Sequence, residues 1–270
     1  MRRQQSSTRR QAPRARRRFG QHFLADRSAI ARIVASLGPI EGVAVVEIGP
    51  GRGALTEALL AEGARVVAIE IDRDLARALA DAHADPPLRV IAADVLEVPL
   101  ASLGRDLLVV GNLPYNVSKP VAMKLCEEQG AVARAVLMFQ REVADRLTAA
   151  CDTGAYGPLT VLAGLIFRIE RLFDLRPGAF RPPPEVTSTV TRWTRRDDAL
   201  AAALVPALKT TLKIAFARRR QTLQKNLRAG LHVDERRAAS WLEEAGLDGS
   251  VRAEAVPPDG FLRLAAVLPS

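Results

Sequence analysis

The 270-residue sequence predicts an α/β fold with a mostly parallel sheet, an antiparallel hairpin at one edge of that sheet, and a small helical domain at the C-terminus. Three observations predict this fold. From residue 43, short apolar runs alternate with segments of helical spacing, which is typical of a parallel sheet covered by helices on both faces. Two strand-like runs then follow each other without a helix between them. After residue 195 the pattern is helical throughout.

The parallel part of the sheet is predicted from five apolar runs and the helices that accompany them. The first run, VAVVEI, is rich in β-branched residues and ends at Gly49-Pro50-Gly51, so it indicates a short strand. The predicted strands are 43–48, 65–70, 88–92, 106–110 and 133–139. The predicted helices are 54–61, 72–81, 119–128 and 141–149.

The hairpin and the helical domain complete the predicted elements. The hairpin strands, 166–175 and 186–194, flank Pro182-Pro183-Pro184, where regular structure is barred because proline has no N–H to donate. Pro206 is expected to begin or kink a helix rather than lie in its middle. The helices of this part are predicted at 199–217, 221–227 and 235–245.

Charge is distributed unevenly along the chain, which carries 39 Lys and Arg against 30 Asp and Glu. Residues 1–18 hold eight Arg and no acid, residues 19–190 have a net charge of −4, and residues 191–270 have a net charge of +5. Two basic ends around a mildly acidic body indicate a polyanionic partner. A solubilising tail with solvated helix faces, or a transit peptide at the N-terminus, are the alternatives.

These shifts predict three regions: a basic disordered arm over 1–18, a main domain over 19–195 and a small helical domain over 196–270. The composition excludes a disordered, collagen-like or disulfide-stapled protein. No apolar run approaches the roughly 20 residues of a membrane-spanning helix, so we expect no membrane span. The 2 Cys and 3 His lack the spacing of metal ligands, so we expect reduced thiols, no metal and a cytoplasmic enzyme.

A glycine-rich loop between the first predicted strand and its helix indicates a cofactor site. The segment from Glu47 to Gly53 reads EIGPGRG, in which Gly49 and Gly51 allow a tight turn and a close approach of a ligand. The Gly-x-Gly-x-Gly spacing differs from the Gly-x-Gly-x-x-Gly of NAD and FAD sites. It suits S-adenosylmethionine, which has no pyrophosphate to bind. That these glycines merely turn the chain is the alternative.

Two acidic residues follow the next two strands. Glu70 ends its strand, where a carboxylate can accept hydrogen bonds from both hydroxyls of a ribose. Asp94 follows the third strand, where it can accept from the amino group of an adenine. Open α/β sheets bind ligands at this carboxyl edge of the strands. The alternative is that these acids only cap the helices that follow.

The segment Gly111-Asn-Leu-Pro-Tyr-Asn116 carries the predicted chemistry. A planar aromatic amine is a poor nucleophile, since its lone pair is delocalised into the ring. The side-chain oxygen of Asn112 and a backbone carbonyl can accept both amine hydrogens and so favour a pyramidal nitrogen. Pro114 stiffens the loop, and Tyr115 offers a ring face for stacking, worth about 1–3 kcal/mol. A turn with a buried tyrosine is the alternative.

Taken together, these motifs resemble the rRNA adenine-N6,N6-dimethyltransferase family, most closely its small-subunit branch. The segments that carry the resemblance are FGQHFLADRSAIARIV from Phe19, VVEIGPGRGALTEALL from Val45, VVAIEID from Val66, GNLPYNVSKP from Gly111 and QREVADRLTA from Gln140. The resemblance implies a Rossmann-like class I methyltransferase sheet with S-adenosylmethionine as cofactor. It implies cofactor contacts at His22, Leu24, Gly49, Glu70, Asp94 and Asn112.

The resemblance also adds roles that spacing alone does not give. The GQHFL segment that contains His22 would form a lid over the methionine end of the cofactor, although His22 by spacing only flanks the first helix. Phe180 would stack on the target adenine opposite Tyr115. A core aromatic before a proline-rich loop is the alternative for Phe180.

A basic segment in the helical part, FARRRQTLQKNL, resembles the family's RNA-contacting segment. Its basic residues suit contacts with phosphate, although they cannot all share one helical face and some are expected to be solvated. They are Arg218, Arg219, Arg220, Lys225 and Arg228. Affinity from the basic ends would be nonspecific and salt-sensitive, whereas specificity would come from RNA shape and an unstacked adenine.

The function that this resemblance implies is dimethylation of two adjacent adenosines near the 3′ end of 16S rRNA, within a small-subunit particle, by a monomeric cytoplasmic enzyme. The basic arm resembles those of large-subunit, 23S rRNA dimethylases of the macrolide-resistance type, which is the first alternative. The second is a ribosome-assembly or transcription factor on the same scaffold. Loss of Glu70 or of the Asn112–Tyr115 segment would favour that factor, and both are present.

Overall fold

The central sheet of the protein, seen in a computed structural model that describes residues 22–83 and 87–269, is built from seven strands. Two further short strands pair separately. The strands are β1 (Phe23–Leu24), β2 (Ala44–Ile48), β3 (Arg65–Ile69), β4 (Leu88–Ile91), β5 (Leu107–Asn112), β6 (Val132–Gln140), β7 (Phe167–Leu175), β8 (Phe180–Arg181) and β9 (Ser188–Arg195).

Helices separate most of these strands along the chain. The helices of the sheet region are α1 (Arg27–Ala35), α2 (Ala54–Ala61), α3 (Arg73–Ala82), α4 (Ser118–Glu127), α5 (Arg141–Leu147) and α6 (Pro158–Ile166). Those of the C-terminal part are α7 (Val205–Ala215), α8 (Leu223–Leu231), α9 (Glu235–Glu244) and α10 (Pro258–Val267). None of the helices in the described ranges combines the length and apolar character of a membrane crossing.

The strand order is β4-β3-β2-β5-β6-β9-β7. Strands β2 to β6 are parallel to one another, whereas β9 runs antiparallel to both β6 and β7. The predicted fold class is thereby confirmed, with the antiparallel pair at one edge. Since the parallel strands all point the same way, the loops that follow β2, β3, β4 and β5 meet at one edge of the sheet.

Both faces of the sheet are covered. On one face, α1 and α2 contribute residues such as Ile33 and Leu59 to a buried cluster with Val45 and Val66. On the other face, a larger cluster extends from the sheet through α4, α5 and α6 into α7, α8 and α10. This double burial explains why the central strands are continuous apolar runs in the sequence.

The C-terminal helices share the larger cluster with the sheet. Trp193 of β9 and Leu208 of α7 both belong to it, and the ring of Phe216 lies 5.5 Å from that of Phe261. The predicted boundary between 195 and 196 falls directly after β9 and stays a prediction. The predicted arm over 1–18 lies outside the described residues.

Several elements differ from the prediction. Helix α7 begins at Val205 rather than at 199, and Pro206 lies in its first turn, as expected for a helix start. No range was predicted for α1, and helices α6 and α10 and the β1–β8 pair were not predicted. The sequence of α6, PLTVLAGLI, is apolar on all sides, and periodicity does not distinguish such a segment from a buried strand.

Candidate active site

A cavity opens at the carboxyl edge of the parallel strands. Its wall is formed by the ends of β2, β3 and β5, by the turn after β4 and by the segment that contains β1. The structure brings together here all the residues predicted for cofactor binding and catalysis. These are His22, Leu24, Gly49, Gly51, Glu70, Asp94, Asn112, Pro114 and Tyr115.

The glycine loop is shaped by left-handed backbone. Gly49 has a φ of 67° and Gly51 a φ of 59°, which residues with a Cβ rarely adopt. A Cβ on Gly51 would lie 2.8 Å from Cδ1 of Phe23. The absence of a side chain at Gly51 therefore lets β1 pack directly onto the loop, and the loop and β1 form one wall of the cavity.

Glu70 fixes the glycine loop from the next strand. Its Oε2 accepts a hydrogen bond from the backbone N–H of Gly51 at 3.0 Å, and its Oε1 accepts from the N–H of Asp72 at 3.0 Å. Burial raises the pKa of the Glu70 carboxyl, and these backbone bonds oppose that shift. Because each carboxylate oxygen has two lone-pair sites, Glu70 retains capacity to accept from a ligand.

Asp94 lies in the turn after β4 and lines the same cavity. Its Oδ1 accepts from the N–H of Leu96 at 2.9 Å, so the side chain also stabilises its own turn. The predicted alternative, that the acids support local structure, therefore describes part of what Asp94 and Glu70 do. It does not replace a ligand role, since both face the cavity.

Asn112 ends β5 and is oriented by His22, which directly precedes β1. Its Nδ2 donates a hydrogen bond to the backbone carbonyl of His22 at 2.8 Å. This bond assigns the amide nitrogen to His22 and leaves Oδ1 as the acceptor end of the side chain. The loop that follows is tied to itself, since the N–H of Val117 donates to the carbonyl of Pro114 at 3.0 Å.

Tyr115 is half-buried in the cavity wall and is held at both ends. Its hydroxyl lies 3.2 Å from Oγ of Ser188, and its carbonyl accepts from Oγ of Ser118 at 3.0 Å. Its ring centroid is 5.8 Å from that of His22. Burial raises the pKa of the Tyr115 phenol, so the hydroxyl stays neutral at physiological pH.

Phe180 is not part of this cavity wall. Its side chain is 1% exposed and packs in the cluster beneath α1 and α2, because β8 pairs with β1 and Phe180 lies opposite Leu24. The stacking role implied by the resemblance is therefore not supported by this structure. The alternative given for Phe180, a core aromatic, describes its position.

The basic segment divides into two kinds of residue. Arg218, Arg219 and Arg220 lie in the turn between α7 and α8, while Lys225 and Arg228 are exposed on α8. Arg228 is 3.4 Å from a carboxylate oxygen of Glu235 across solvent-exposed surface.

Arg219 differs from its neighbours because its guanidinium is bound within the protein. It donates to Oε1 of Glu254 at 2.9 Å and to the carbonyls of Gly154 at 2.9 Å and Tyr156 at 3.0 Å. Arg219 thereby joins the loop before α6 to the turn before α10. Its side chain is nevertheless 52% exposed, so contact of Arg219 with phosphate stays a prediction beside this structural role.

Glu47 is a cavity residue that the sequence prediction did not assign a role. It is 1% exposed at the end of β2 and accepts from Oγ1 of Thr56 at 2.6 Å. Its Oε1 has no hydrogen-bond partner among the described residues. Burial raises the pKa of Glu47 to about 7. A carboxylate inside an otherwise apolar strand, VAVVEI, was the signal available in the sequence.

The comparison with protein families decides which family this site belongs to. The model of the ribosomal RNA adenine dimethylase family matches residues 12–269. The chain belongs to this family. The resemblance seen in the motifs is thereby confirmed, and the dimethylase match extends through the C-terminal helices as well as the sheet.

Two relatives within the dimethylase family are similar over most of their length. The Ribosomal RNA small subunit methyltransferase A of Bordetella petrii is 43% identical over 255 residues, which are 94% of this chain and 95% of that protein. The protein of the same name from Acidobacterium capsulatum is 44% identical over 242 residues, which are 88% of this chain and 85% of that protein.

Two solved structures have the same architecture. A dimethyladenosine transferase from Plasmodium falciparum superposes with a TM-score of 0.77 at 24% identity, over 90% of this chain and 96% of that one. At 24% identity, this similarity establishes a shared fold and nothing about function. The 23S rRNA methyltransferase ErmE superposes with a TM-score of 0.65 at 30% identity, over 91% of this chain and 99% of that one.

We expect Arg219→Ala to lower the free energy of unfolding by about 1–2 kcal/mol, because three hydrogen bonds are lost and the Glu254 carboxylate loses its cation. Arg218→Ala is the matched control and should change stability by less than about 0.5 kcal/mol. Urea unfolding of both variants measures this. Equal stability combined with weaker RNA binding in Arg219→Ala would leave Arg219 with the phosphate-contact role alone.

The raised pKa of Glu47 predicts a pH dependence of stability. The folded protein retains the Glu47 proton up to about pH 7, whereas the unfolded chain releases it near the ordinary value of 4.5. Unfolding therefore releases a proton in this window, and the free energy of unfolding falls as pH rises from 4.5 to 7. In Glu47→Gln this contribution, on the order of 3 kcal/mol, should vanish. Identical slopes of stability against pH in both proteins would contradict the assignment.

Proposed function

We propose that this protein is an S-adenosylmethionine-dependent rRNA adenine-N6,N6-dimethyltransferase that dimethylates two adjacent adenosines near the 3′ end of 16S rRNA. The observation that carries this proposal is the position of the oriented Asn112 amide and the Tyr115 ring in the same cavity as Glu70 and Asp94. Relatives named as small-subunit methyltransferases, at 43% and 44% identity, support the small-subunit target over the 23S enzyme at 30%.

The cavity residues fit S-adenosylmethionine. Glu70 would accept from the ribose hydroxyls and Asp94 from the adenine amine, and the Gly49–Gly51 turn leaves room for close approach. His22 and Leu24 would cover the methionine end from the segment of β1. When bound, this cofactor supplies a methyl group on a positively charged sulfur. The buried carboxylates of the wall give the site a polarity that suits that charge.

The chain's own contribution to the reaction is alignment of the target amine. Oδ1 of Asn112 would accept one N6 hydrogen. The carbonyls of Pro114 and Tyr115 already accept bonds within the loop, so we assign the second acceptor to the carbonyl of Leu113. With both hydrogens held, the nitrogen lone pair turns towards the methyl donor. No general base is needed, because the methylated amine loses its proton to water afterwards.

Pro114 and Tyr115 would hold the base in place for that step. Pro114 limits the conformations of the loop, and the Tyr115 ring would stack on an adenine that has been unstacked from the RNA. The phenol has no role in proton transfer in this mechanism. Its hydroxyl is bound to Ser188 instead.

RNA would be bound outside the cavity by exposed basic residues. The candidates in the C-terminal part are Arg218, Arg219, Arg220, Lys225 and Arg228, and the eight arginines of residues 1–18 would add to them. We propose that the protein acts as a monomer on a small-subunit particle in the cytoplasm. Phosphate contacts of this kind are salt-sensitive and do not discriminate between sequences.

The second candidate function is dimethylation of one adenine in large-subunit rRNA. The basic N-terminal arm and the 30% identity to ErmE favour it. A binding factor that has lost catalysis is the third. Glu70 and the Asn112–Tyr115 segment, both in the cavity wall, argue against the third.

A methyl-transfer assay separates these candidates. Labelled S-adenosylmethionine is incubated with undermethylated small subunits and, in parallel, with protein-free 23S rRNA. We expect label in the small subunit, as two dimethylated adenosines. Label only in 23S rRNA would establish the second candidate, and label in neither would leave the binding factor.

The variant Asn112→Ala tests the mechanism in the same assay. Because it removes the side-chain acceptor of the amine, we expect methyl transfer to fall below detection while RNA binding changes by less than about twofold. Filter binding measures the second quantity. Methyl incorporation equal to that of the unsubstituted protein would refute the role of Asn112.

Deletion of residues 1–18 tests the arm. We expect weaker RNA binding and a flatter dependence of log affinity on log salt, since up to eight phosphate contacts are lost with the eight arginines. Affinity is measured at several salt concentrations for both proteins. An unchanged salt slope would show that the arm takes no part in RNA binding.

A further inference from the structure

Ser188 holds the outer end of the Tyr115 side chain. Its Oγ lies 3.2 Å from the Tyr115 hydroxyl, and the residue is 2% exposed. Ser188 is the first residue of β9, and it pairs with Gln140 of β6 and with Leu175 of β7. A residue paired on both sides in a sheet has little freedom to move. The hydroxyl of Tyr115 is thus tied to the rigid sheet, although its backbone lies in a loop.

The remaining contacts of the Tyr115 ring are less directional. Its neighbour across the cavity is the His22 ring, tilted by 31° at 5.8 Å, which restricts the ring by packing alone. The backbone end is fixed separately by Ser118. The hydroxyl oxygen lies on the axis about which the ring turns, so the bond to Ser188 fixes the direction of that axis, and the His22 ring restricts rotation about it.

We propose that Ser188 is a positioning residue for methyl transfer, acting by fixing the direction in which the Tyr115 ring, on which the target adenine would stack, extends along the cavity wall. This inference rests on the proposed function. Ser188 does not line the cavity, so in the proposed mechanism it would contact neither base nor cofactor. Its effect passes through Tyr115 only. A small tilt of the ring shifts the stacked base relative to Asn112, and misplacement by about 1 Å can reduce a rate 100-fold.

A double-mutant cycle tests the proposal. The variants are Ser188→Ala, Tyr115→Phe and the double substitution. Ser102→Ala is the control for the same chemical change, since Ser102 is exposed and does not line the cavity. Rates of methyl transfer to undermethylated small subunits, the KM for that substrate and the melting temperature are measured for each.

We expect Ser188→Ala to lower kcat by about 3- to 10-fold, the range of one hydrogen bond, with KM changed by less than about twofold. Tyr115→Phe keeps the stacking face but lacks the hydroxyl, so it should lower kcat to a similar extent. In the Tyr115→Phe background, Ser188→Ala should cause no further loss. Ser102→Ala should match the unsubstituted protein.

Two results would overturn the inference, and they are distinguishable. If Ser188→Ala lowers kcat by the same factor in both backgrounds, Ser188 acts through packing and not through Tyr115, while the proposed function stands. If the unsubstituted protein transfers no methyl to rRNA, the proposed function fails and the inference fails with it. If Ser188→Ala lowers the melting temperature equally in the unsubstituted and the Tyr115→Phe protein, that loss does not contribute to the difference in kcat between the two backgrounds.

Discussion

The hydrogen bond from the Asn112 amide to the carbonyl of His22 joins the two halves of the site. Asn112 is fixed at the end of a central strand, whereas His22 belongs to a segment with little secondary structure of its own. The bond holds that segment over the cavity and at the same time decides which end of the amide accepts. Because one contact performs both tasks, the orientation of the acceptor depends on the segment that encloses the site.

Two carboxylates of the site are desolvated by their position in the cavity wall. Glu47 and Glu70 are both buried, and burial alone would favour their neutral forms. Glu70 is compensated by two backbone N–H groups, one of them in the glycine loop. Glu47 has only Thr56 among the described residues. Buried carboxylates with few hydrogen-bond partners and a raised pKa are common in functional sites.

Sequence predicted the sheet and the cavity well because both follow from local signals. A buried parallel strand must be apolar on both sides, and residues after such strands must meet at one edge. Gly49, Glu70, Asp94 and Asn112 were therefore placed together from their positions alone. The β1–β8 pair was not predicted, since strands of two residues carry no periodicity.

The residues whose surroundings sequence reasoning missed are those whose partners lie far along the chain. Arg219 resembles its neighbours in the sequence and differs only because Gly154, Tyr156 and Glu254 surround it in the fold. Phe180 precedes a proline-rich loop as an exposed platform would, yet its pairing with Leu24 buries it. No local pattern distinguishes these cases.

The hydrophobic cluster that runs from the sheet into α7, α8 and α10 limits the shapes of RNA that the protein would bind. Without shared apolar packing, the C-terminal helices could move relative to the sheet. The shared cluster instead holds Lys225 and Arg228 at a fixed distance from Asn112. The distance between these basic residues and the active-site cavity is then fixed by the fold. An RNA bound by these residues as proposed would therefore have to be folded so that its backbone and its unstacked adenine match this fixed distance.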